Sequence, residues 1–225
     1  MTQLLWKDYR LNRFLLIIIV VLLAILYLVG ALAEIGTSWP QWPTSSDWSG
    51  MFNAYGNVTL FLTCCITALL GGNAIARERA DRSAHFLAYL PPPKWKILTS
   101  KITVALGITA AVWAWALVSL HVLTPLLSRM ADHASSQVRI TTAASMCVLT
   151  FGIGWLCSAC ASATVGPIML AIVSPGVVNL ALQAFRIVVG VTERSVFKWF
   201  EPICLVIGAW SFAMGCWIYI RRVEP

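Results

Sequence analysis

Charge is the scarcest property of this sequence. Only 11% of its 225 residues are Asp, Glu, Lys or Arg, whereas a soluble domain carries about 25%. With 59% hydrophobic residues and a mean hydropathy of +0.80, the deficit excludes a disordered chain, a collagen-like fibre and a secreted disulfide scaffold. A surplus of apolar surface on this scale needs lipid as its solvent. Period-two alternation is also missing from the apolar runs, which excludes a transmembrane barrel. No GxxxxGK[ST] phosphate loop occurs, so the chain has no means of binding ATP in the P-loop manner.

Acidic groups are absent from the middles of the apolar runs. Asp8, Glu34, Asp47, Glu78, Asp81, Asp132, Glu193, Glu201 and Glu224 all lie at edges or in loops. Proton and cation relays keep ionisable groups within the bilayer, so a relay is not expected here. Intramembrane hydrolases need Ser/His or paired Asp residues. No GxSG occurs, and His121, the single histidine in a run, reads as an interfacial or helix-packing residue. The chain is therefore not expected to be an enzyme or to bind a cofactor of its own. Cys157 and Cys160 form a CxxC, but no second Cys or His pair accompanies it. Metal binding is not expected there.

Six apolar runs remain, each close to the roughly 20 residues a helix needs to cross a bilayer: about 14–33, 55–76, 102–127, 140–165, 167–189 and 202–220. The fold expected is an all-α membrane protein, one domain over residues 1–225 with six transmembrane helices. Ser174-Pro175-Gly176 in the fifth run is expected to kink or break its helix. Of the 16 Lys and Arg residues, 11 fall on the side of the termini and of the second loop, and five on the other. That bias puts both termini in the cytoplasm. The net charge of +7 is spread in short blocks between runs, which fits topology and lipid headgroups better than nucleic acid. A competing reading takes Lys7, Arg10 and Arg13, the following run and Ala31-Leu32-Ala33 as a signal peptide. Cleavage after Ala33 would leave five spans and an N-terminus at Glu34.

The loop between the second and third runs is the most informative segment. It reads NAIARERADRSAHFLAYLPPPKWKILTSK over residues 73–101. Residues 76–90 hold no Gly or Pro, and Phe86, Tyr89 and Leu90 share a helical face behind the charged group around Arg77, Glu78, Arg79, Asp81 and Arg82. Pro91-Pro92-Pro93 ends that helix, and Lys94, Trp95 and Lys96 suit an interfacial anchor. By composition the segment is either an amphipathic helix resting on lipid headgroups or a docking helix gripped by a cytoplasmic partner.

The order of its residues resembles the ABC-2 family of ABC transporter permeases. That family's loop carries an Ile-Ala-x-Glu-Arg run, an amphipathic stretch, a Leu-Pro step and a lysine opening the third span. The matching residues here are Ile75-Ala76-Arg77-Glu78-Arg79, the stretch through Phe86 and Leu87, Leu90-Pro91, and Lys101. Arg82-Ser83 stands where many members have Gly-Thr, and the triple proline is longer than the usual single one. The resemblance implies a cytoplasmic amphipathic coupling helix between helices 2 and 3 that includes Arg82, with Glu78 and Arg79 at its membrane end and Phe86, Leu87 and Leu90 as its contact with an ATPase. It further implies an exporter in the bacterial cytoplasmic (inner) membrane. Its partners would be a dimer of separate ATPase subunits that hold ATP and Mg, and a second permease half, identical or paralogous. The alternative function is a membrane scaffold or assembly protein without a transport cycle.

Asn179, Gln183 and Arg186 share a rough face of the fifth run. Asn179 and Gln183 are candidates for a translocation path, although such residues more often pack against other helices. Gly154, Ser158 and Ser162, with Ala159 and Ala163, permit close helix approach within one chain or between two. Residues 190–200 are expected to insert shallowly in the interface before a last helix that starts at Glu201-Pro202. The uncharged runs favour an amphipathic, lipid-like or peptide cargo over a small ion. In intact cells, a membrane-impermeant maleimide should miss a Ser83→Cys variant (accessible native cysteines replaced) until the membrane is permeabilised; labelling from outside would contradict a cytoplasmic loop.

Overall fold

The computed structural model describes residues 2–38, 45–76, 94–118, 133–161, 163–190 and 193–222. These form six helices: α1 (Thr2–Ser38), α2 (Ser45–Asn73), α3 (Lys94–Val118), α4 (His133–Cys160), α5 (Val165–Val189) and α6 (Glu193–Arg222). Five contain stretches long and apolar enough to cross a membrane: Gly50–Asn73, Trp95–Val118, Ile140–Cys160, Val165–Val189 and Lys198–Arg221. In α1 the apolar stretch is the shorter Ile17–Ala33.

Several boundaries differ from those read in the sequence. The third span starts at Trp95 rather than residue 102, because Lys101 is accommodated inside the helix by a backbone carbonyl acceptor. Helix α2 stops at Asn73, and residues 74–75 form a turn instead of continuing the helix into the loop. Pro202 does not open the last helix: α6 begins nine residues earlier, at Glu193, and runs through it. Pro175 leaves α5 unbroken. Its missing N–H would have met the carbonyl of Ala171 four residues back, and the Ser174 hydroxyl donates to that carbonyl at 2.7 Å instead. Helix α5 ends at Gly190, whose φ of +71° gives the left-handed cap that returns its N–H to the Arg186 carbonyl.

The helices alternate in direction. Along α2 and α4, Cys64 meets Cys147, Thr67 meets Thr150 and Ile75 meets Ser158, so these two helices run parallel in one register. Helix α6 runs parallel to α4 on its other side: Glu201 meets Thr142, Gly208 meets Val148, and Gly215 meets Leu156. Helix α3 runs the opposite way, with Lys101 beside Ala74 and Ala116 packed with Leu60. Helix α1 also opposes α2, since Ile19 clusters with Ile66 and Leu70 while Tyr27 bonds Thr59. At the other end of the chain, α5 starts beside Gly72 and packs Val178 and Leu182 near Phe200 and Cys204. Helix α4 is thus the spine, flanked by α2, α5 and α6.

Small residues bring these backbones together. A Cβ added to Gly208 would lie 2.6 Å from the Val148 carbonyl oxygen, and one added to Gly152 would strike the Gly208 carbonyl. On the other flank, a Cβ on Gly71 would lie 2.6 Å from the Phe151 carbonyl oxygen, and Gly154 faces the backbone of Gly72. Helices in lipid associate through close van der Waals contact of this kind. Gly154 and Ser158 therefore serve packing within the chain; Ser162 lies outside the described residues, and Ala163 is exposed.

Gly208→Ala should push α4 and α6 apart and cost about 1–3 kcal/mol, read as a lower thermal unfolding midpoint in detergent. Gly107→Ala, where the added Cβ meets nothing within 4 Å, should leave the midpoint undiminished.

Candidate functional site

The residues that carried the sequence resemblance fall in two groups. Glu78, Arg79, Arg82, Phe86, Leu87 and Leu90 lie outside the described residues. Ile75, Ala76 and Lys101, which flank them, are described, and the fold brings them to one place.

That place is the end of α2. A helix that ends among buried side chains leaves backbone groups without partners, and no water is available to supply them. Ile75 is 2% exposed and Ala76 0%, so their N–H groups need an acceptor from the protein. Ser158 on α4 provides it: its Oγ accepts from Ile75 N at 2.9 Å and from Ala76 N at 2.8 Å. Ser158 is itself fully buried. The carbonyl of Ala74 accepts from Lys101 Nζ on α3 at 2.7 Å. Lys101 is only 8% exposed, and this charge-assisted bond offsets part of the cost of burying its ammonium group.

The side chain of Ile75 adds an apolar plug. It enters a cluster formed by Leu98 of α3, Trp155 and Ala159 of α4, and Tyr219 of α6. Phe151, Trp155 and Phe212 stack beside it with ring centroids 5.4–5.8 Å apart, in the offset or tilted range that aromatic pairs favour. Four helices therefore meet at the point where the chain leaves α2 for residues 77–93. Basic and aromatic residues ring this end of the bundle: Lys96 stands over the Trp95 ring at 5.6 Å and Arg221 over the Trp217 ring at 4.5 Å. Trp95 and Trp217 are exposed, as interfacial anchors are.

A second feature occupies the opposite half of the bundle. A cavity of about 440 Å³ opens between α2, α4, α5 and α6, with Cys64, Thr142, Pro175, Asn179 and Glu201 among its lining. Asn179 thus borders a cavity, whereas Gln183 does not line it; its Oε1 accepts from Arg186 Nη1 at 3.3 Å. Glu201 was read in the sequence as a loop residue at a helix start. It lies inside α6, and the hydroxyls of Thr141 and Thr142 donate to its Oε1 at 2.9 and 2.7 Å. Ser158 and Glu201 are the residues that sequence reasoning missed as site residues. Ser158 had only its size as a signal, and Glu201 was masked by the proline that follows it. Among the described residues, no group of three or more His, Cys, Asp or Glu is arranged to hold a metal ion.

A family model described as ABC-2 family transporter protein matches residues 5–181, from α1 into α5. No curated protein and no solved structure matches the chain.

Ile75→Ala should cost about 2–5 kcal/mol through the cavity it leaves, and Ser158→Ala about 1–3 kcal/mol by orphaning two buried N–H groups. Chemical denaturation in detergent should rank both below Thr103→Ala, whose exposed hydroxyl bonds only its own helix.

Proposed function

The chain belongs to the ABC-2 family of transporter proteins, and on that premise we propose that it is the permease subunit of an ABC exporter driven by ATPase subunits on separate polypeptides. Residues 77–90 then act as the coupling element, which includes Arg82, with Glu78 and Arg79 near the membrane and Phe86, Leu87 and Leu90 against the ATPase. ATP and Mg belong to that partner. A second permease half, identical or paralogous, completes the pathway.

The observation that carries this reading is the double anchorage of the loop's root. Ile75 and Ala76 are held by Ser158 of α4, and Ala74 just before them by Lys101 of α3. A displacement of the loop cannot be absorbed by slack at its root; it must move α2 and α3, and through Ser158 also α4. A helix merely resting on headgroups has no need of buried bonds to two neighbouring spans. ATP binding closes the ATPase dimer, the loop follows, and the spine helix carries the movement to α5 and α6.

Six crossings with both termini in the cytoplasm fit the same picture. Ile17–Ala33 of α1 lies alongside α2, from Ile19 beside Ile66 and Leu70 to Tyr27 beside Thr59, which supports α1 as a crossing helix. Because α1 opposes α2 whereas α6 runs parallel to it, the start of α1 and the end of α6 fall at the same end of the bundle, which supports both termini on one side. Lys96, Lys101 and Arg221 gather at the end bearing the loop root, which supports that end as the cytoplasmic one. The exposed apolar faces of α5 and α6, including Leu180, Ile187, Val188 and Trp210, suit contact with lipid of the inner membrane.

Purification in mild detergent should recover this chain with an ABC ATPase, whose hydrolysis rate the chain stimulates. Phe86→Ala with Leu87→Ala should abolish the stimulation. Ser158→Ala should lower it severalfold while the complex still assembles. A subunit that purifies alone and leaves its candidate ATPase unchanged would favour the scaffold reading instead.

A further inference from the structure

Glu201 is the single Asp or Glu within the five spans. It lies three residues inside one end of its span, and an ionisable residue within a membrane span is a functional-site candidate. This one lines the cavity between α2, α4, α5 and α6. The Thr141 and Thr142 hydroxyls both fall on Oε1 and orient the group, but hydroxyls do not cancel its charge. Among the described residues no lysine or arginine forms an ion pair with it.

The remainder of the cavity is a different environment. It extends along α4 from Thr142 to Thr150, which is roughly 12 Å at 1.5 Å per residue. From the end carrying Glu201 it therefore reaches toward mid-span. Its walls are mainly apolar and include Phe61, Phe200 and Asn179 along with Glu201. Phe61, Gly176 and Asn179 are exposed, so the cavity opens sideways between α2 and α5, where lipid would lie. At about 440 Å³ it falls in the range of sites that take small organic ligands, about 300–1,000 Å³.

We propose that this cavity binds a lipophilic monocation, with its charge on Glu201 and its apolar body lying along α4 toward Cys64 and Pro175. Three features select this ligand class. The carboxylate, which has no ion pair among the described residues, attracts a positive charge. The aromatic faces attract a cation that is not strongly hydrated. The lateral opening admits a ligand that partitions into the bilayer and disfavours a hydrated ion or a free anion. That the ligand is cargo rests on the permease reading; that it binds does not.

Binding can be measured on the subunit alone, in lipid nanodiscs without an ATPase, using tetraphenylphosphonium and its anionic counterpart of similar shape, tetraphenylborate. Saturable binding of the cation and none of the anion is expected. Glu201→Gln, which keeps an acceptor for the two threonines, should weaken cation binding at least tenfold with helix content unchanged. Gly176→Leu should abolish binding by occlusion, because a Cβ there meets nothing within 4 Å and the longer side chain can enter the cavity while Glu201 stays intact. Equal affinity in Glu201→Gln and the unaltered chain, competition by tetraphenylborate, or no saturable binding at all would each overturn the proposal. None of these outcomes bears on whether the chain stimulates an ATPase, so the two readings fail separately.

Discussion

A backbone N–H inside an apolar bundle must find a partner within the protein, and the structure turns on how this is met at the end of α2. Leaving one such group unpaired in a dry interior costs several kcal/mol. The Ser158 hydroxyl accepts from two of them at once, and Lys101 satisfies a carbonyl on the same turn. These bonds cannot form unless α3 and α4 lie within reach of residues 74–76. The end of α2 therefore locates three helices relative to one another, and the loop that follows inherits a rigid base.

Farther along α2 and α4, the polar contacts are of another kind. Thr67 and Thr150 bond each other at 2.8 Å, but each can also donate to a carbonyl of its own helix, at Cys64 and Cys147 respectively. Separating them strands no hydroxyl. Bonds of this type between membrane helices average only about 0.6 kcal/mol. Adhesion along the seam comes also from the close backbone approach that Gly71 and Gly154 allow between Thr150 and Ser158.

Much of the fold was legible in the sequence because a bilayer imposes a single rule, that spans be long and apolar. Five of the six expected spans are apolar helices long enough to cross, and Lys101 of the loop motif bonds Ala74, the residue just before its Ile-Ala element. The errors share a physical cause. Lys101, Pro175, Pro202 and Glu201 were read by their intrinsic cost in a helix or in lipid, and each cost is offset or tolerated in context. Lys101 has the Ala74 carbonyl, Ser174 bonds the carbonyl freed by Pro175, and Thr141 and Thr142 hold Glu201. Pro202 sits within a 30-residue helix packed along α4.

The sequence alone determined that the chain lives in lipid, which stretches become helices, and which loop is worth watching, because hydropathy and local order depend on neighbours along the chain. Only the tertiary structure decided that α4 is the spine, that Ser158 anchors the loop and that Glu201 faces a cavity. Such partnerships join residues about 60 to 83 positions apart, and they arise from the close crossing of backbones, a property of three dimensions that no local pattern encodes.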